Sequence, residues 1–415
     1  MKLSNQPPKG TSDWLPREFK IRQYIFNAWR QVCLRYGYEE YLTPLVESAE
    51  IYRAKSGEDV GGKELVTFTD LGGRELSIRP EMTPSVARLV SQIYEAVPKP
   101  IRYFSIANFM RNEKPQRGRN REFWQLNCDI FGSNSLNADV EILQIALDIM
   151  LALGAPKHSF KLKISSRAIL QEVFANLKIS DKQTTQVARS LDKWNKLSKA
   201  AIEENLTKAG LKKEQIRSLS SFMNSRDLPD MPAAADLRFI LKSLADLGYG
   251  DYVEYDPTIV RGFDYYDGMV FEIFDNHKDN NRALFGGGRY NGLGALFGGK
   301  SWPAVGFAPG DETTRIFLES WDLLDKITEQ KIDNYYLPLL NEDLQLKTNF
   351  LAKRLREQGL SVALGLEPQK INKALEYANK QGFSRVVIFG SEEAAKKVYK
   401  IKDMASGQET KQAFK

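Results

Sequence analysis

The stretch Ile101 to Gly132, IRYFSIANFMRNEKPQRGRNREFWQLNCDIFG, has two apolar, aromatic ends around a polar middle. The ends alternate as half-buried strands do. The middle carries Arg111, Lys114, Arg117, Arg119 and Arg121 and is broken by Pro115 and Gly118. The pattern predicts a long hairpin with a cationic loop. Arginine suits phosphate because its planar fork makes paired, charge-assisted hydrogen bonds and keeps its charge. A lone basic run is as a rule a solvated loop, but these cations sit at the mouths of strands rich in Phe and Trp, where a flat base can stack. The combination points to a nucleotide.

The totals bound the alternatives. A chain of 415 residues has room for two or three domains, and 42% hydrophobic with 27% charged residues is ordinary globular composition. The formal charge of +6 and pI near 8.9 are compatible with a nucleic-acid partner without establishing one. Cys33 and Cys128 are the only cysteines and form no Cys-x-x-Cys, so neither a disulfide framework nor a zinc site is expected. With His158 and His277 the only histidines, a Ser-His-Asp triad or a His-rich metal centre is nearly excluded. The N-terminus lacks an apolar core of signal-peptide length, and no run of about 18 apolar residues occurs, so a cytoplasmic protein without membrane contact is expected.

Outward from the hairpin, apolar spacing predicts a helix over Asp13 to Arg35, ended by Gly37. YLTPLVES (Tyr41 to Ser48) is extended, and Pro44 suits either a core edge strand or an interface strand. Two short strands around Gly72-Gly73 lead into Arg79-Pro80-Glu81-Met82-Thr83, after which Pro84 opens a helix with Thr83 as its expected N-cap. Asn137 to Leu153 is a further helix. The Lys-, Ser- and Leu-rich stretch from about 167 to 240 reads as a helical insertion. Strand character resumes over Tyr252 to Val260 and leads into RGFDYYDGMVFE (Arg261 to Glu272), GGGRYNGL (Gly286 to Leu293) and Ala304 to Gly310. After a polar linker at 326–334, residues 335–415 carry a βαβαβ pattern, a small α/β module.

Placed together, these motifs resemble the histidyl-tRNA synthetases, a family of class II aminoacyl-tRNA synthetases, over almost the full chain. RGFDYY with RPEMT and GRNREFWQ is the specific part of the likeness; YLTPLVES, similar to the first class signature and its dimer interface, is weaker. The resemblance implies an α+β fold. A class II antiparallel-sheet catalytic domain (1–325) with a helical insertion (about 167–240) precedes an α/β anticodon-binding domain (335–415). It implies ligation of L-histidine to tRNA(His) through histidyl-adenylate by a homodimer, with ATP and Mg2+ as substrate and neither a permanently bound cofactor nor a metal site. Carried over residue by residue, Arg111 and Arg261 are expected at the reacting phosphate. Glu81, Thr83 and Gln125 are expected around the amino-acid ammonium, and Asp129, Tyr265, Tyr266 and Tyr290 around the imidazole. Arg111, Glu113, Arg119 and Phe123 would hold ATP, and Gln116 and Arg117 would meet the tRNA acceptor stem.

Three letters depart from the family pattern. Thr313 stands where the third class signature carries an arginine for the γ-phosphate end of ATP, and Arg315, roughly 200° further around a helix, would face away. Either Arg119 or Arg117 takes that load or activation is weakened. Asp267 replaces a threonine and Met82 a glycine. The runner-up reading is a catalytically inactive relative serving as a regulatory subunit of ATP phosphoribosyltransferase. Retention of Arg111, Arg261 and the C-terminal domain favours the synthetase.

Overall fold

The helical stripe that begins the chain is α1 (Pro16–Arg35) in the computed structural model, with Ile21, Ile25, Trp29 and Val32 buried. Residues 3–54, 62–260, 266–280, 282–298, 301–328 and 333–414 are described. They divide into two units, Met1–Thr328 and Glu329–Lys415, with part of the expected linker (residues 329–332) outside the described residues.

In the first unit β1 (Glu39–Glu40) and β2 (Val46–Ser48) lie on either side of Pro44 and join different sheets. YLTPLVES is therefore a crossing between sheets rather than one strand. After α2 (Ala49–Arg53), the expected hairpin forms from β3 (Val66–Thr69) and β4 (Glu75–Ile78), and β2 pairs with β4. α3 (Thr83–Ile93) starts one residue earlier than expected, at the proposed cap itself. The carbonyl of Met82 accepts the first helical bond from Val86 N (2.9 Å), so Met82 is the N-cap, without a side-chain bond, and Thr83 lies inside the first turn.

β5 (Ile101–Met110) and β6 (Glu122–Phe131) pair without a break from Ile101↔Phe131 to Met110↔Glu122. The unit continues through α4 (Leu136–Ala152), β7 (Phe160–Ser166), α5 (Arg167–Asn176), α6 (Asp181–Leu191), α7 (Lys199–Lys208), α8 (Lys213–Asn224), α9 (Ala235–Asp246) and β8 (Val253–Tyr255). It closes with β9 (Met269–Asp275), β10 (Ala283–Arg289), β11 (Ala304–Phe307), α10 (Asp311–Ser320) and α11 (Leu324–Thr328). Eight strands form one sheet in the order β1-β5-β6-β11-β10-β9-β7-β8, parallel only at β1–β5 and β7–β8.

The period of two assigns the faces. Phe104, Ile106, Leu126, Cys128 and Ile130 face α1 and α4 in the main core, whereas Ile101, Ala107, Phe109 and Phe131 face a smaller cluster with Met82, Val86 and Tyr290. α5 to α8 close over an apolar core of their own that includes Leu170, Leu191, Leu206 and Leu219. α9 does not share it: Leu237, Ile240 and Leu244 return to the main core. The separately cored part thus ends before residue 240, a boundary that the uniform composition hides. The strand expected over Tyr252 to Val260 stops at Tyr255, because the Asp256 carboxylate turns the chain by accepting from Thr258 N (3.0 Å) and Oγ1 (2.7 Å).

The second unit contains β12 (Asn334–Leu337), α12 (Gln345–Glu357), β13 (Ser361–Leu364), α13 (Ile371–Lys380) and β14 (Arg385–Ile388). α14 (Ser391–Ala395) and the hairpin β15 (Val398–Asp403)–β16 (Glu409–Ala413) extend the expected pattern. The sheet runs β13-β12-β14-β15-β16, with parallel pairs among the first three and antiparallel pairs after.

Leu126 is fully buried where the central strand meets the helices. Leu126→Ala is expected to destabilise the first unit by about 2–5 kcal/mol and Leu126→Met by less than about 1.5 kcal/mol, read from urea unfolding midpoints.

Candidate active site

The cationic loop has an ordered tip. Gln116 and Arg119 exchange backbone hydrogen bonds (3.0 and 2.8 Å) around Arg117-Gly118, with Gly118 at φ +76°. A left-handed glycine is what so tight a reversal requires. Both roots are braced: Asn112 N donates to Glu64 O (2.7 Å) and Arg121 N to Gly10 O (2.8 Å).

Beside this loop lies an open cleft. Its walls include Arg111, Glu113, Arg119, Phe123 and Gln125 from the hairpin, and Gly310 to Thr313 at the start of α10. Five expected nucleotide and amino-acid contacts therefore share one cavity. Phe123 stacks on Phe109 (centroids 5.7 Å apart), and the Arg111 guanidinium lies 5.1 Å from the Phe123 ring centre. Arg111 Nε donates to Pro80 O (3.0 Å), which brings the Arg79–Thr83 turn to the cleft. Arg79 itself is buried and structural, donating to the carbonyls of Thr43 (2.8 Å) and Asn108 (2.9 Å).

Further along the same face of β6 comes Asp129, buried and accepting a hydrogen bond from the Tyr290 hydroxyl. Burial pushes its carboxyl up to about 7, against the lowering effect of that hydrogen bond. Tyr266 meets Tyr290 edge to face (6.5 Å), and burial, then the carboxylates of Glu81, Asp129 and Glu272, push its phenol up. Glu81, Asp129, Tyr266 and Tyr290 are thus gathered into one electrostatic neighbourhood. Thr83 is half-buried in the first turn of α3. Arg261 and Tyr265 lie outside the described residues.

Two residues of this region escaped the sequence reading. Tyr41 belongs to the stretch assigned to an interface, yet its hydroxyl is buried without a hydrogen-bond partner among the described residues. Burial and the neighbouring Asp129 raise its pKa. The only sequence signal was a tyrosine three residues before Pro44. Arg282 precedes β10 and reaches the loop, where Nη1 donates to Arg117 O (2.8 Å).

The floor under α10 is held by charge. Arg22 on α1 pairs with Asp311 (3.0 Å) and Glu312 (2.7 Å), and Trp124 N donates to Asp311 Oδ1 (3.0 Å). Desolvation outweighs the Arg22 attraction and raises Asp311 to about 6. Arg315 is engaged by Glu312 (2.9 Å) and Glu319 (3.3 Å), and does not line the cleft. Thr313 does, donating to Leu284 O (3.0 Å). Gln116 and Arg117 are exposed and border a second, open cavity together with Arg119, Arg282 and Thr313.

Comparison with known proteins places this architecture. Residues 10–311 match the family model for histidyl-tRNA synthetase, and residues 335–415 match the anticodon binding domain. A histidine–tRNA ligase of Leptospira biflexa is 40% identical, covering 98% of this chain and 94% of its own. One from Halobacterium salinarum is 37% identical, covering 97% and 94%. Among solved structures, a histidyl-tRNA synthetase from Nostoc superposes with a TM-score of 0.82 at 22% identity over 99% of this chain and 97% of that one. A Bacillus halodurans protein named as an ATP phosphoribosyltransferase regulatory subunit/histidyl-tRNA synthetase gives 0.75 at 22% identity over 93% and 98%. At such identities the two structures speak to the fold alone, which both kinds of name share. The match over residues 10–311 and the near-full-length relatives make the chain a member of the histidyl-tRNA synthetase family.

Proposed function

We propose that the protein ligates L-histidine to tRNA(His) in two steps, activation by ATP and transfer to the tRNA. The observation that carries the reading is that Arg111, Phe123 and Gln125 line one cleft, and that the same face of β6 goes on to the Asp129–Tyr290 pair. Activation joins two anions, the histidine carboxylate and the α-phosphate. Its barrier falls when cations hold the phosphate oxygens on which negative charge accumulates. Arg111 and Arg261 take that role, Phe123 stacks the adenine, and Glu113 and Arg119 flank the nucleotide. Glu81, Thr83 and Gln125 receive the ammonium. Asp129, Tyr265, Tyr266 and Tyr290 read the imidazole, whose two nitrogens satisfy groups that a wrong side chain would leave buried and unpaired.

No cluster of three His, Cys, Asp or Glu suited to a metal occurs among the described residues, and Glu312 is already paired with two arginines. The proposed Mg2+ would enter with ATP as MgATP and would supply positive charge against the phosphate oxygens. The exposed loop tip, Gln116 and Arg117, meets the acceptor stem, and the 335–415 unit meets the anticodon. A homodimer through the Tyr41–Ser48 segment is supported by the exposure of Leu42 and Leu45 on either side of Pro44. No helix among the described residues is long and apolar enough to cross a membrane.

Histidine-dependent exchange of pyrophosphate into ATP tests the reading. Robust exchange is expected; its absence in protein that binds histidine would favour the regulatory relative. Arg261→Ala is expected to lower the exchange rate by about 10²-fold or more with histidine binding retained, as for an interaction made mainly in the transition state. Equal losses of rate and binding would contradict that role.

Charge reversal in Arg117→Glu is expected to weaken tRNA binding and reduce the slope of affinity against salt. A slope equal to that of the wild type would remove Arg117 from the contact.

Asp129 offers a third test. Its folded-state pKa of about 7 is raised, so the folded protein holds an extra proton between roughly pH 4 and 7. Its contribution to stability is full in acid and is lost as pH rises towards 7. Asp129→Asn removes this loss, so the variant should gain stability relative to the wild type between pH 5 and pH 7.5 in urea titrations. Asp311, raised to about 6, leaves a residual slope of the same sign in both proteins. A difference between the two proteins that does not vary with pH would mean that Asp129 titrates normally.

A further inference from the structure

We propose that Arg282, at the entrance to β10, is the side chain that grips the β- and γ-phosphates of ATP, in place of the cation that Thr313 does not supply. The inference rests on the ATP-site reading above and deepens it.

A triphosphate anchored by Phe123 and Arg111 runs towards Gly310–Thr313, the far wall of the cleft. Thr313 is shared by this cleft and the neighbouring cavity, and Arg282 lines the latter with Arg117 and Arg119. The other cations nearby are committed or exposed. Arg22 is tied to Asp311 and Glu312, and Arg315 to Glu312 and Glu319. Arg119 projects into solvent with 61% of its side chain exposed, 3.9 Å from Glu113.

Arg282 differs. Nη1 is used on the Arg117 carbonyl, while Nε and Nη2 are buried and have no hydrogen-bond partner among the described residues. No ion pair among the described residues neutralises it, although Asp275 and Glu312 attract it at longer range. The nearby Asp275 serves His277 N, Asn280 and Trp321 instead. A guanidinium with two desolvated, unsatisfied N–H groups is costly, and the adjacent Arg117 and Arg119 add repulsion. An anion with several oxygens relieves both. The loop is shaped to admit the group, since a Cβ on Gly118 would lie 1.9 Å from Arg282 Nη2.

The chemistry needs no further reactant. A histidine carboxylate oxygen bonds to the α-phosphorus, the bond from that phosphorus to the bridging oxygen breaks, and pyrophosphate leaves with the electron pair. Arg282 neutralises the charge that grows on the departing group.

The test uses the full-length protein with Arg282→Ala and Arg282→Gln, titrated with MgATP, pyrophosphate and AMP. Charge-assisted hydrogen bonds of this kind are lost at about 10- to 100-fold in affinity. Both variants are expected to lose about that much for MgATP and pyrophosphate, with AMP affinity changed less than about twofold. Glutamine keeps a donor for the Arg117 carbonyl, so a purely structural role would leave Arg282→Gln near wild type and overturn the proposal. Parallel loss of AMP, or unchanged MgATP affinity, would also overturn it. Failure of the underlying site reading shows separately, in a wild type that binds neither MgATP nor pyrophosphate.

Discussion

The unbroken register of β5 against β6 is the constraint on which the rest depends. Because side chains alternate, a slip of one residue would turn Phe123, Gln125 and Asp129 towards the helices and bring Trp124, Leu126 and Cys128 to the cleft. The apolar face pins the register: Leu126, Cys128 and Ile130 have the α1–α4 core to fill, and Arg102 reaches Glu141 on α4 (2.7 Å) from the same side. β11 adds a second lock. Gly306 lies opposite Asp129, and a Cβ there would sit 1.9 Å from its carboxylate oxygen. The close approach of backbone to carboxylate keeps the acid where the polar face needs it.

Three buried carboxylates show how the unit separates structure from chemistry. Asp139 is held by Arg289 (2.6 Å), tying β10 to the start of α4, and Asp311 by Arg22, tying α10 to α1. These pairs fasten one element to another. Asp129 has the Tyr290 hydroxyl but no ion pair among the described residues. A carboxylate buried without a cation is expensive to ionise, hence its raised pKa. A ligand that brings two polar nitrogens to that place relieves the expense, and binding energy and selectivity then share one origin.

Local pattern revealed much of this in the sequence and tertiary contact hid the rest. The hairpin, α1, α4 and the alternating C-terminal module follow from periodicity and from breakers such as Gly37 and Gly359. Phe123, Gln125 and Asp129 were legible because one strand orders them, and period two puts odd-numbered residues on one face. The YLTPLVES segment misled, since nothing local tells that Pro44 separates two sheets or that Tyr41 turns inward. The stripe of α9 was visible, but which core it joins is decided by α4, far away in the chain. Arg282 was illegible for the same reason: its meaning lies in the loop tip it touches.

The departures from the family pattern each have a local physical account. Met82 is fully buried against Thr43, its sulfur accepting from the threonine hydroxyl (3.3 Å). Asp267 accepts from Asn291 N (3.0 Å) and Nδ2 (3.1 Å), fixing the turn after Tyr290. Thr313 ties the first turn of α10 to β10. Each of these three residues thus has hydrogen-bond partners of its own in the fold. Beside Thr313, Arg117, Arg119 and Arg282 crowd together. Like charges brought together repel one another. The polyanion proposed to lie among them would offset that repulsion.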